Sequence, residues 1–123
     1  MHELAVSQSL IAEAMRTALH HGAVRVTALT VQIGPLSGVE APLLDRAFSV
    51  ARAGTMLETS VLTMEIAPVV VWCPACQTET TVAPNALLCG QCGDWKVTLR
   101  SGDELVLKQV ELDRETTDRA VLH

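Results

Sequence analysis

Aromatic residues are nearly absent from this chain of 123 residues, which contains one Phe, two Trp and no Tyr. Basic residues are also scarce, since nine Lys and Arg oppose 14 Asp and Glu and leave a formal net charge of −5. Nucleic-acid binding relies on cationic surfaces and on aromatic stacking of bases, so the composition argues against a nucleic-acid partner. So few rings also mean that something other than bulky aromatic packing must help to hold this small chain together.

Long apolar runs are missing as well. No stretch approaches the roughly 20 residues that a membrane-spanning helix requires, which argues against a membrane partner. The opening Met1–Glu3 lacks the positive segment and apolar core of a signal peptide, so we expect a cytoplasmic protein. The length allows one domain or two very small ones, and is too short for a large enzyme with its own cofactor domain.

The four cysteines are regularly spaced. Cys73 and Cys76 form one Cys-x2-Cys pair, Cys89 and Cys92 form a second, and 12 residues separate the pairs. In a cytoplasmic chain such thiols are more often metal ligands than disulfides. Each pair can point both sulfurs at one ion, and two pairs complete the tetrahedral shell of Zn²⁺ with no position open for a catalytic water. The spacing therefore predicts a structural zinc site, without indicating what the zinc is for.

Two other interpretations of the cysteines stay open at this point. A thiol-redox protein needs one attacking thiol, which two symmetric pairs do not suggest. A zinc-ribbon module for nucleic acid or transcription assemblies needs a basic or aromatic face, and residues 73–102 offer neither. Rapid alkylation of one thiol in zinc-free protein would favour the first interpretation, and strong salt-dependent binding of DNA or RNA would favour the second.

The rest of the sequence alternates between helical and strand patterns. Apolar residues at helical spacing, among them Leu4 and Ile11, predict a helix over 4–19. A second helix is predicted to begin near Pro42 and to stop at Gly54. Apolar alternation and β-branched residues predict three strands, at 24–33, 60–67 and 104–112. This order predicts an α+β fold, in which two helices pack on a three-stranded sheet and a small zinc-ribbon-like module with the four cysteines is inserted before the last strand.

The same patterns suggest domain boundaries. Residues 1–71 and 103–113 are expected to form the α+β domain, which includes the apolar run that leads into Cys73. Residues 72–102 are expected to form the zinc module. The charged tail, residues 114–123, is expected to fray.

The first three residues offer a second set of metal ligands. The terminal amine of Met1 and the amide nitrogen and imidazole of His2 can bind one ion in fused chelate rings, and Glu3 can add an amide nitrogen or a carboxylate oxygen. Ni²⁺ and Cu²⁺ accept such square-planar or tetragonal ligation. Glu40, in the loop before the second helix, could lie beside this terminus. The alternative is that His2 is an ordinary surface residue at a chain end.

Together these residues resemble the HypA/HybF family of hydrogenase nickel-incorporation proteins. The resemblance covers the chain from Met1 to about Leu112. The segments that carry it are Met1–Ala5, Val31–Gly34, Gly38–Glu40, Pro84–Ala86 and the two Cys-x2-Cys pairs.

The resemblance implies a nickel metallochaperone and not an enzyme. Such a protein passes Ni²⁺, its cargo, to the large subunit of [NiFe] hydrogenase together with a GTP-hydrolysing nickel accessory protein. The resemblance makes His2 a nickel ligand beside the Met1 amine and Glu3, with Glu40 as a further candidate, and makes the four cysteines the ligands of a structural zinc. Some members carry histidines beside the cysteine pairs. This chain has none there, so we do not expect zinc geometry that responds to acid.

Overall fold

The structure, a computed structural model, describes residues 2–114 and the backbone of residues 119–122. The described residues form two helices and seven strands: α1 (Glu3–His20), β1 (Ala23–Ile33), α2 (Ala41–Ala51), β2 (Val61–Ile66), β3 (Val69–Cys73), β4 (Thr78–Val82), β5 (Thr98–Ser101), β6 (Leu105–Arg114) and β7 (Arg119–Leu122). Neither of these helices is both long and apolar enough to cross a membrane.

The chain divides into two compact units. The larger unit comprises Met1–Val31, Val39–Glu65 and Val106–His123, and the smaller unit comprises Gln32–Gly38 and Ile66–Leu105. The smaller unit thus extends beyond the predicted module, residues 72–102, on both sides. The reason is that β3, which carries the buried Val69 and Val71, is the central strand of a sheet within this unit.

The larger unit has the predicted α+β architecture, with one more strand than expected. Its sheet has four strands in the order β2-β1-β6-β7, where three were predicted. Both helices contribute to its hydrophobic core, α1 through Ile11 and Ala14 and α2 through Phe48. These side chains pack with Leu29 of β1 and Leu112 of β6.

The fourth strand, β7, lies within the predicted tail. Residues 114–123 were expected to fray, but Arg119–Leu122 pairs antiparallel with β6, from Val110 opposite Leu122 to Asp113 opposite Arg119. β7 is the outer strand of the four-stranded sheet, beside β6. Residues 115–118 and 123 lie outside the described residues.

The two helices of the larger unit run side by side in the same direction. The Glu40 N–H donates to Glu3 Oε2 over 3.4 Å, and Ser7 Oγ donates to the Leu44 carbonyl over 3.5 Å. Because the second contact lies four residues further along both segments, the N-termini of α1 and α2 are at the same end of the pair.

The smaller unit is built on a three-stranded sheet in the order β4-β3-β5, with β3 antiparallel to both neighbours. The segment 32–38 is bound to it by two backbone bonds of 2.7 Å, from Gly34 N–H to the Glu104 carbonyl and from Leu36 N–H to the Gly102 carbonyl. The approach is so close that a Cβ at Gly34 would lie 2.2 Å from the Gly102 backbone. Glycine is therefore required at position 34.

Candidate metal centres

The four cysteines of the smaller unit come together around one point. Their sulfurs all lie within 4.8 Å of one another and none is in a disulfide. Cys73 Sγ is 3.7 Å from Cys92 Sγ, and Cys76 Sγ is 3.9 Å from Cys89 Sγ. A tetrahedral Zn²⁺ at ~2.3 Å from each sulfur requires sulfur–sulfur distances of about 3.8 Å. The four side chains therefore fit a tetrahedral metal ion.

The two Cys-x2-Cys turns have the same backbone geometry. In each turn the N–H of the second cysteine donates to the sulfur of the first over 3.4 Å, from Cys76 to Cys73 and from Cys92 to Cys89. The following residue then donates its N–H to the carbonyl of the first cysteine, over 2.7 Å for Gln77 and 2.9 Å for Gly93. Both of these residues have positive φ, 53° and 76°. Gly93 has no Cβ to be strained by this geometry, whereas Gln77 does.

The remaining backbone contacts fix the second turn on the sheet. Gly90 N–H donates to Thr80 Oγ1 of β4 over 2.9 Å, and Cys89 N–H donates to the Asp94 carbonyl over 2.9 Å. Cys73 and Cys89, the first cysteine of each turn, are buried, whereas Cys92 is exposed. The ligand set is thus held by the protein on one side and reaches solvent on the other.

The pKa values of the thiols show why the cluster needs a cation. The N–H groups of Cys92 and Gln91 stabilise the Cys89 thiolate and lower its pKa to about 6. By contrast, the hydrogen bond with Cys92, followed by burial, raises the pKa of Cys76 to about 12. Four sulfurs this close cannot all be thiolates unless a positive ion neutralises them, and thiolates are the form that binds metal.

The second set of predicted ligands lies in the larger unit. His2 is the N-cap residue of α1 and is exposed, and its side chain makes no capping hydrogen bond. Glu3 is buried, with only 5% of its surface exposed. Glu40 is the N-cap residue of α2 and is exposed. The structure thus brings Glu3 and Glu40 together through the bond described above, with His2 next to Glu3 in the chain. Met1 lies outside the described residues.

The Glu3 carboxyl stays ionised although it is buried. A hydrogen bond from the terminal amine, followed by bonds from the backbone N–H groups of Glu3 and Glu40, lowers the pKa of Glu3 to about 2 against the opposing effect of burial. The carboxylate also lies where two helices begin, and the N-terminal end of a helix favours negative charge.

Sequence reasoning placed Ile11 correctly on the buried face of α1 but missed how that face begins. Leu4 was expected on the apolar face, yet it is 46% exposed, and Glu3 and Ser7 are buried instead. A signal for this face exists, because Glu3, Ser7 and Ile11 recur every four residues. It was hidden because two of the three side chains are polar.

Comparisons with known proteins agree on one family. The HypA family, described as "Hydrogenase/urease nickel incorporation, metallochaperone, hypA", matches residues 1–112. The hydrogenase maturation factor HypA of Nitrosospira multiformis is 46% identical over 112 residues, which cover 91% of this chain and 97% of that protein. The HypA protein of Aquifex aeolicus is 37% identical over 113 residues, with 92% and 98% coverage.

Solved structures are similar over nearly the whole chain. The solution structure of the Ni metallochaperone HypA from Helicobacter pylori matches with a TM-score of 0.70 and 26% identity, and covers 94% of this chain and 100% of that one. A second solution structure of a HypA protein matches with a TM-score of 0.72 and 26% identity.

Proposed function

Because this chain belongs to the HypA family of metallochaperones for hydrogenase and urease nickel incorporation, we propose that it binds Ni²⁺ at its N-terminus and delivers it for assembly of the [NiFe] hydrogenase active site. The family acts in maturation and not in catalysis. The observation that carries the proposal is the coexistence of the Met1–Glu3 opening, next to Glu40, with the four-cysteine cluster in one chain. This combination favours a nickel chaperone over the redox and nucleic-acid interpretations of the cysteines.

The proposed nickel ligands are the amine of Met1, the amide nitrogen and imidazole of His2, and a fourth donor from Glu3. The exposure of His2 supports this set, because its imidazole can reach an ion without unpacking the core. The first hydrogen bond of α1 runs from Val6 N–H to the His2 carbonyl, 2.9 Å long. The amide nitrogens of His2 and Glu3 precede it, so metal binding there breaks no bond of the helical ladder.

We propose Zn²⁺ as the ion of the four-cysteine cluster, with a structural role. Four thiolates at tetrahedral distances suit Zn²⁺ and leave no coordination position for water or cargo. Anionic thiolates on a rigid backbone retain their ion, whereas nitrogen ligands at a chain terminus can surrender theirs. The two sites would therefore divide the work between a resident metal and a transported one.

Delivery requires partners. We propose that the chain acts with a GTP-hydrolysing nickel accessory protein and with the large subunit of [NiFe] hydrogenase. Cu²⁺ binds similar nitrogen ligands more tightly than Ni²⁺, so the choice of metal would depend on availability in the cell and on contact with these partners.

Nickel titration of four proteins tests the proposal: the chain with its native terminus, an N-terminally extended form, His2→Ala, and His20→Ala. His20 is the matched control, because it is also an exposed histidine of α1 but lies at the opposite end. We expect the extension and His2→Ala to lose high-affinity Ni²⁺ binding with zinc still bound, and His20→Ala to keep it. Equal nickel affinity in all four proteins would disprove the N-terminal site.

A further inference from the structure

Glu3 is the one acidic side chain buried among the described residues, and it lies between two helices. It is the first residue of α1, its carboxylate accepts the Glu40 N–H over 3.4 Å, and Ser7 continues the same buried polar face one turn later. A charged group in such a place is stable only if polar partners replace the water it has lost.

The partner at this place is the start of α2. Glu40 is the N-cap residue of α2, and its own side chain makes no capping hydrogen bond. The first N–H groups of a helix need acceptors and attract negative charge. The Glu3 carboxylate, supplied by α1, therefore does for α2 what the Glu or Gln at the third helical position does in a capping box: it accepts the N–H of the N-cap residue.

Because the Glu3 carboxylate already accepts the Glu40 N–H, it is poorly suited to bind the Ni²⁺ cargo. To bind an ion it would have to release the Glu40 N–H that it now accepts. The side chains of His2 and Glu40 are already exposed, so neither needs such a rearrangement. Glu3 thus holds the backbone of Glu40, and it directly follows His2 in the chain.

We propose that the Glu3 carboxylate is a positioning group of the nickel site and not a ligand of the ion: it joins the start of α2 to the first turn of α1 and so holds Glu40 beside His2. This inference rests on the proposed N-terminal nickel site. It leaves the amide nitrogen of Glu3 as the donor that this residue can offer.

The test compares Glu3→Gln, which keeps an acceptor oxygen for the Glu40 N–H, with Glu3→Ala, which removes it. In both variants we expect the visible absorption spectrum of the Ni²⁺-saturated protein to match that of the unsubstituted chain, because the ligands are unchanged. Glu3→Ala should lose about tenfold or more in Ni²⁺ affinity, as is usual when an orienting partner of a metal site is removed, and Glu3→Gln should recover most of it. A changed spectrum in Glu3→Gln would show that the carboxylate is a ligand and would overturn the proposal.

Ser7→Ala is the matched control for helix packing. It removes the neighbouring bond between the helices, from Ser7 Oγ to the Leu44 carbonyl, without touching the N-cap of α2. We expect it to keep full Ni²⁺ affinity, and a loss equal to that of Glu3→Ala would show a general packing effect and overturn the positioning role.

The proposed function itself is tested separately by His2→Ala. If that variant binds Ni²⁺ as the unsubstituted chain does, the N-terminal site is disproved and the role of Glu3 falls with it. If His2→Ala loses binding while Glu3→Ala keeps full affinity, only the role of Glu3 is disproved. Hydrogen exchange of the Glu40 amide in the metal-free protein gives a readout without nickel, and it should become faster in Glu3→Ala.

Discussion

The four-cysteine cluster and the start of α1 differ in how much of a ligand set the backbone holds in place. In the cluster, backbone N–H groups contact the sulfurs of Cys73 and Cys89, and the sulfur pairs already stand at 3.7 and 3.9 Å. At the start of α1, the His2 side chain is exposed and makes no capping bond. The polar contact there is between the buried carboxylate of Glu3 and the Glu40 N–H. On the proposed function, a metal bound at the cysteines would be part of the fold, whereas one bound at the start of α1 would leave without unfolding the chain.

The two units that carry these sites also differ in their apolar packing. The core of the larger unit contains Phe48 and several fully buried leucines. In the smaller unit the buried apolar side chains are fewer and mostly smaller, Ile33, Ala67, Val69, Val71, Cys73 and Cys89. Its two tryptophans add little buried apolar surface, since Trp72 is only half-buried and Trp95 is 71% exposed. The smaller unit therefore has less apolar packing, and we expect a metal bound at its four cysteines to contribute more to its stability.

The largest effect is expected from Cys73→Ser, which removes a buried ligand at the end of β3. A structural zinc contributes an apparent ~10–16 kcal/mol to folding, more than a unit this small can replace. We expect the full chain to lose its zinc and the smaller unit to unfold, while the helices of the larger unit persist. Zinc content together with hydrogen exchange of β3 and α1 measures both outcomes. Gln91→Ala is the control, since this exposed residue contributes only its backbone N–H to the cluster.

A smaller loss of stability is expected from Gly34→Ala. The new Cβ would lie 2.2 Å from the carbonyl carbon and oxygen of Gly102 and 2.7 Å from the Asp103 nitrogen, and backbone atoms cannot turn away. We expect the zinc-bound protein to lose about 1–3 kcal/mol in free energy of unfolding, measured by denaturant titration. Gly54→Ala provides a comparison of a different kind, because no atom lies within 4 Å of a Cβ there and its cost comes from the positive φ of 74° alone. If Gly34→Ala left the free energy of unfolding unchanged, the close approach of segment 32–38 to Gly102 would not contribute to stability.

The elements that could be predicted from sequence are those with a long, regular pattern. The predictions for α1, β1, α2, β2 and β6 fall within two or three residues of the observed ends, because each has a periodic apolar pattern. The strands β4 and β5 were missed. Thr78–Val82 and Thr98–Ser101 are short and mostly polar, and they become strands because both edges of β3 are available to pair with them.

The candidate sites show the same division. The convergence of the four cysteines could be predicted, because Cys-x2-Cys spacing is a local property of a tight turn. The burial of Glu3 could not, since it depends on α2 packing beside α1, and an acidic residue carries no apolar signal. The positive φ of Gln77 could not be predicted either, because its neighbours impose the turn and glutamine itself has no preference for positive φ.

Gln77→Gly compares the two cysteine turns directly. Gln77 has a φ of 53°, and Gly93 occupies the equivalent position of the second turn at 76°. A residue with a Cβ is strained in this region, whereas glycine is not but loses more entropy on folding. We expect a net gain of about 0.5 kcal/mol in the zinc-bound protein from the substitution, since relief of strain exceeds the entropic cost. A loss of stability would show that the turns are not equivalent.

The smallest effect on stability is expected from the substitution with the largest effect on cargo, His2→Ala. His2 is exposed, and its side chain makes no bond to the first turn of α1, so its removal should change the free energy of unfolding by less than about 0.5 kcal/mol. Circular dichroism melts of metal-free and zinc-bound protein measure this change, and the same samples should show the loss of Ni²⁺ binding. Cys73→Ser should show the reverse, with stability lost along with zinc. If His2→Ala also unfolded part of the chain, the terminus would be a structural element, and the distinction between a resident metal and a transported one would not hold.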